Sequence, residues 1–145
     1  AAVAGMARLN KQGLVAMRAA GARAATDITG FGLFGHAMNM ARASGVTLEL
    51  RGVALPLYEG AAQLAADGVF SGAAARGREN LAAAVEISDE IPAWLASLCF
   101  DAETSGGLLV AVPPEGAAAF EQALAEQPPA FVGEVQAGEA MVRLR

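Results

Sequence analysis

At 145 residues, with 54% hydrophobic and 17% charged side chains, the chain has room for one ordinary domain and ample apolar surface to offset its ordering. That composition argues against both a two-domain enzyme and intrinsic disorder. Ten Lys and Arg against fifteen Asp and Glu leave a formal net charge of −5, and the scattered basic residues argue against a nucleic-acid footprint.

The predicted elements begin with a helix from Ala2 to Ala20, carrying Val3, Met6, Leu9, Leu14 and Met17 at mostly three- to five-residue steps and ended by Gly21. Residues 24–35 read as a loop feeding a second helix, in which Phe34, Met38 and Ala41 recur at helical spacing and Ser44-Gly45 closes the run. Val46, Leu48 and Leu50 alternate with Thr47, Glu49 and Arg51, as in a strand with one wet face. Leu55-Pro56-Leu57 reads as a turn, Glu59 to Ala66 as a short helix, and Gly68 through Gly77 as irregular chain. Pro92 begins a helix with Trp94, Leu95 and Leu98 on its buried side. The continuous apolar run Leu108 to Val112 fits a strand covered on both faces, stopped by Pro113-Pro114. A helix over Glu115 to Glu126 follows, then a terminal hairpin of Phe131 to Val135 with Ala140 to Leu144 about Gly138. The expected fold class is α+β, helices layered on a mostly antiparallel sheet, with no internal repeat and no linker dividing residues 1–145.

No window approaches the roughly 18 consecutive apolar residues of a membrane-spanning helix, so a membrane partner is not expected. The single cysteine, Cys99, has no second thiol for a disulfide or zinc site, which fits a reducing cytoplasm. The sequence opens Ala1-Ala2-Val3, with neither an initiator methionine nor a cationic leader, and reads as a piece of a longer protein.

Two loops carry the polar chemistry. In the first, Thr26 to Gly35, a carboxylate, two hydroxyls and three glycines stand at the start of a helix. Asp27 offers the hard oxygen that magnesium prefers, and Gly30 and Gly32 let backbone amides approach an anion. The plainer reading is that Asp27 or Thr29 caps the helix. Gly30, Gly32 and Gly35 also spell the dinucleotide fingerprint, with Glu49 nineteen positions beyond Gly30. That fingerprint requires a buried strand before it, which the polar half of residues 24–29 does not suggest. The second loop is Asp101 with Thr104-Ser105-Gly106-Gly107, either a hydroxyl-rich cradle or a tight turn before a strand. His36 lies on the polar side of its helix and reads as a surface or satisfied interior histidine. Cys99 reads as a small core residue, and Arg76 and Arg78 as a surface turn.

Ala25-Thr26-Asp27-Ile28-Thr29-Gly30-Phe31-Gly32-Leu33 with Gly35-His36-Ala37, and Asp101 with Thr104-Ser105-Gly106-Gly107-Leu108, resemble the corresponding motifs of selenophosphate synthetase (selenide, water dikinase) in its C-terminal domain. Ser44-Gly45-Val46, Pro56 and Gly68-Val69 fall in the same order, so the likeness spans nearly the whole chain. The wider superfamily includes aminoimidazole ribonucleotide synthetase and thiamine monophosphate kinase. The resemblance implies an enzyme that converts ATP, selenide and water to selenophosphate, AMP and phosphate, supplying selenium for selenocysteine. It implies that Asp27 is a magnesium ligand, and that Thr29, Gly30, Gly32, Thr104, Ser105, Gly106 and Gly107 shape the ATP cleft. The implied partner is an N-terminal domain carrying the nucleophile and most nucleotide-binding residues, within a cytoplasmic homodimer, and the fragment alone is expected to be inactive. Another ATP-dependent synthetase or kinase of the superfamily, or a non-catalytic interaction module, remain as alternatives. Phe34 stands where leucine is usual, Ala102-Glu103 where Pro-Gln is common, and Ala74 and Gly77 where Thr and Asn are usual.

Overall fold

The computed structural model describes residues 2–145. In chain order the elements are α1 (Ala2–Met6), α2 (Lys11–Ala19), β1 (Ala24–Asp27), α3 (Gly32–Ser44), β2 (Val46–Leu50), α4 (Ala61–Ala66), α5 (Gly72–Leu81), β3 (Val85–Ile87), α6 (Ala93–Phe100), β4 (Leu108–Ala111), α7 (Ala117–Ala123), β5 (Gly133–Ala137) and β6 (Met141–Leu144). Single 3-10 turns occupy Gly52–Ala54 and Pro114–Gly116.

Helix α3 organises the rest because it is apolar almost all round: Leu33, Phe34, Ala37, Met38, Met40 and Ala41 are all buried, and such a helix must be enclosed. It ends where expected, with Gly45 in the left-handed conformation at φ 63°. A four-stranded sheet in the order β3-β6-β2-β5 and the antiparallel pair β1-β4 lie around it, with α6 alongside. Two of the four strand pairings are antiparallel, β1 with β4 and β2 with β5; β2 with β6 and β3 with β6 are parallel. Phe34, Met38, Val142 and Leu144 are completely enclosed at the centre, and Phe34 meets Phe100 edge-on at 4.7 Å. The architecture is α+β, as the order of elements suggests.

Strand β4 separates two cores, which is why its sequence is apolar on both faces. Leu109 and Ala111 face the main cluster, while Val110 and the following Val112 pack on Ala16, Ala20 and Phe120 between α2 and α7. Thr47, the polar residue of β2 that is buried, donates its hydroxyl to the Glu139 carbonyl at 2.8 Å.

Four expectations are corrected. The long first helix is two helices, because the five-residue step from Leu9 to Leu14 leaves the helical period and Asn10 stands at the head of α2. Residues 24–27 form a strand instead of a loop, since the backbone of β4 supplies partners that local polarity does not reveal. Residues 72–81 form α5 instead of irregular chain: the Ser71 hydroxyl accepts from the Ala73 amide, and Gly77 lies against Phe100, where a larger side chain would crowd the Phe100 carbonyl. The terminal hairpin does not form. β2 inserts between β5 and β6, antiparallel to one and parallel to the other. Strand β3, flanked by Ala84 and Ser88, had no expectation attached to it.

Candidate functional site

Strand β1 has alternating exposure: Ala24 and Thr26 turn toward the interior while Ala25 and Asp27 turn outward. Asp27 is therefore exposed at the C-terminal end of the strand, directly opposite Leu108 of β4. It lines an open groove of about 450 Å³, walled on the other side by Lys11, Leu14 and Met17 of α2.

The two candidate loops, more than sixty residues apart in sequence, form one platform. The Ile28 amide donates to the Gly107 carbonyl at 3.0 Å, the Gly106 amide to Ile28 at 2.8 Å, and the Glu103 amide to Thr29 at 3.0 Å. These bonds extend the β1–β4 ladder past its last paired residues. Gly32 locks the platform from below. Its φ is +66°, and a Cβ there would press on the Phe100 carbonyl carbon at 2.8 Å and the Cys99 oxygen at 2.9 Å. Only glycine allows both the conformation and this close approach of α3 to the end of α6. In the second loop, Ser105 at φ 60° and Gly107 at φ 93° make the turn, and the Glu103 side chain lies across Gly106. Partial burial and the neighbouring Asp101 carboxylate raise the Glu103 carboxyl above its usual range.

Neither Asp27 nor Thr29 caps α3, contrary to the plainer reading of the sequence. Phe31 occupies the capping position without a side-chain bond, and the Thr29 hydroxyl instead meets His36 Nε2 at 3.1 Å. The Thr26 hydroxyl lies 3.4 Å from His36 Nδ1. His36 is buried, the satisfied interior histidine of the two possibilities. Its partners were hidden from sequence reading because they lie across a strand, a turn and a helix. Gly30 is exposed with open space around it, and Thr104 is exposed. Asp101 is committed to structure: its carboxylate accepts from the Ser71 amide at 3.1 Å, the Ser71 hydroxyl and the Ala102 amide at 2.9 Å.

The dinucleotide fingerprint is spelled in the sequence but not built. A strand does precede it, yet β1 pairs antiparallel with β4 and the next strand, β2, belongs to the other sheet, so β1, α3 and β2 do not form a parallel βαβ unit. Gly35 packs under Phe31, and Glu49 sits half-buried within β2. Burial raises the Cys99 thiol to about 12, leaving it a core residue as expected. Arg78 sits on α5 with its guanidinium 5.1 Å from the Phe100 ring and donates to Ser97 at 3.1 Å, so it belongs to helix packing instead of a surface turn. Among the described residues, no group of three or more His, Cys, Asp or Glu side chains is placed to hold a metal. Among them, too, no helix is long and apolar enough to cross a membrane.

Residues 4–143 match the family described as AIR synthase related protein, C-terminal domain. The chain is 44% identical over 124 residues to a selenide, water dikinase of Rhizobium meliloti, covering 83% of this chain and 36% of that protein. It is 46% identical over 116 residues to a selenide, water dikinase of Caldanaerobacter subterraneus, covering 80% and 33% respectively. The corresponding protein of Nitratidesulfovibrio vulgaris is 42% identical over 130 residues, covering 88% and 37%. The chain thus spans about a third of the length of these curated relatives. With the match running from residue 4 to residue 143, the chain belongs to the family of AIR synthase related protein C-terminal domains.

Proposed function

We propose that this chain is the C-terminal domain of a selenophosphate synthetase, in which ATP, selenide and water give selenophosphate, AMP and phosphate. The observation that carries the reading is identity of 42–46% to selenide, water dikinases over four-fifths or more of the chain. Phosphoryl transfer asks a protein chiefly for positioning and charge neutralisation. Asp27, exposed at the end of β1, would donate one oxygen to a magnesium ion; ATP phosphates, water and acidic residues of an N-terminal domain would complete the coordination. Bound there, magnesium would neutralise charge on the triphosphate. Asp27 acts as a ligand and not as a base. The open backbone around Gly30 and the exposed Thr104 border the same edge, while Ser105 and Gly107 set the turn that carries it. Gly32 serves by letting the start of α3 close on residues 99–101, and Gly106 by leaving room for the Glu103 side chain within the second loop.

In this reading residues 1–145 form one domain, the nucleophile and most nucleotide contacts come from the N-terminal domain, and the complete enzyme is a cytoplasmic homodimer. Asp27→Asn in the complete enzyme is expected to reduce ATP turnover at limiting magnesium by more than the roughly 10–100-fold cost of losing an outer-shell metal partner. The variant should keep the wild-type circular dichroism spectrum. Unchanged turnover at limiting magnesium sinks the role of Asp27. The isolated chain should form no selenophosphate detectable by phosphorus NMR. AMP formation by the complete protein that does not depend on selenide would move the assignment to another synthetase or kinase of the superfamily.

A further inference from the structure

We propose that His36 is a positioning residue for this edge, clasping the hydroxyls of Thr26 and Thr29 with its two ring nitrogens and so fixing how the intervening Asp27 is presented. The proposal rests on the reading of Asp27 as a magnesium ligand.

Thr26 and Asp27 are consecutive in β1 and point to opposite sides, so whatever holds Thr26 inward orients Asp27 outward. Thr29 stands just past the strand, where the chain turns toward α3. His36, in the first turns of that helix, reaches back to both, with Nδ1 3.4 Å from Thr26 and Nε2 3.1 Å from Thr29. The Thr26 hydroxyl donates to the Asp27 carbonyl at 3.0 Å, which commits its proton. The tautomer with hydrogen on Nδ1 fits that commitment, donating to Thr26 and leaving Nε2 to accept from Thr29. A neutral imidazole with this tautomer satisfies both ends at once. The exposed Phe31 ring, 5.8 Å away by centroids, borders the imidazole.

An apolar side chain would fill this buried site without the cost of desolvating an imidazole. The histidine instead directs both of its polar atoms to residues that flank one exposed carboxylate. Thr29 also accepts the Glu103 amide through its carbonyl, so the same clasp reaches the second loop.

The test uses the complete protein bound to a non-hydrolysable ATP analogue and titrates manganese, with free metal read by electron paramagnetic resonance. Melting temperature and the KM for ATP at saturating magnesium are measured alongside. His36→Leu is expected to weaken manganese binding about tenfold with KM unchanged. His36→Gln, which keeps an acceptor for Thr29, should recover most of the affinity. Thr29→Val should lose as much as His36→Leu, and the double variant no more than either alone. Full affinity in a folded His36→Leu protein, or additive losses in the double variant, overturns the proposal. If His36→Leu does not fold, full affinity in Thr29→Val overturns it instead. Asp27→Asn separates the two readings. Unchanged manganese binding there removes the metal-ligand assignment itself, whereas lost binding there with full affinity in His36→Leu removes only the clasp.

Discussion

Gly32 shows how one missing side chain sets the geometry of the platform. Its left-handed backbone costs an L-residue roughly 1–2 kcal/mol, and a methyl group would add a collision with the backbone of residues 99–101. Gly32→Ala should therefore destabilise the protein by at least about 2 kcal/mol in urea denaturation. An unchanged midpoint would mean that α3 and α6 can separate without cost. Cys99 makes a pH-dependent contribution. Burial holds the folded thiol at about 12, above its ordinary value of 9.0, so folding favours the protonated form. The contribution is complete below pH 9 and declines as pH rises from 9 toward 12. Cys99→Ala should flatten the alkaline loss of stability seen on comparing urea midpoints at pH 8 and pH 10.5. The native thiol should resist iodoacetamide at neutral pH. The glycines and Asp27 stood out in the sequence because their chemistry is local. The partners of His36 did not, since hydrogen bonds from a helix to a strand and a turn leave no periodic trace.

At the level of elements, α5 depends on a cap assembled from two distant segments. Ser71 accepts from the Ala73 amide, while Asp101 from the end of α6 receives the Ser71 amide and hydroxyl. Ser71→Ala is expected to cost about 1 kcal/mol, measured by thermal denaturation, and to increase hydrogen exchange in the first turn of α5. Retained protection there would show that Asp101 alone secures the helix start. In sequence, Gly72 and Gly77 read as breakers. Gly77 is instead a packing glycine: with no side chain it leaves space for Phe100, whose ring is covered by Arg78, the next residue of α5. Helix α3 and strand β2 were legible in the sequence because Phe34, Met38 and Ala41 recur at helical spacing, and Val46, Leu48 and Leu50 alternate with polar side chains. Strand β1 alternates in exposure but shows almost no such pattern in its side-chain types, being short, alanine-rich and polar at its end.

Across the whole molecule, two cores of unequal size meet on opposite faces of β4. The smaller, around Ala16, Ala20 and Phe120, holds α2 and α7 against β4. Phe120→Ala should cost roughly 3–5 kcal/mol and raise hydrogen exchange in α2 and α7 before α3. Uniform loss of protection would mean that the cores unfold as one unit. The sequence by itself determined the α+β class, the apolar centre in α3, the doubly covered β4 and the two chemically distinctive loops, because composition and periodicity report how each segment is buried. Tertiary structure alone decided that β1 pairs with β4, that β2 separates β5 from β6, that the two loops become one platform and that His36 spans Asp27. Those outcomes rest on backbone and side-chain hydrogen bonds between separate elements, most of them far apart in the chain, and pairing of that kind leaves no pattern in the order of side chains.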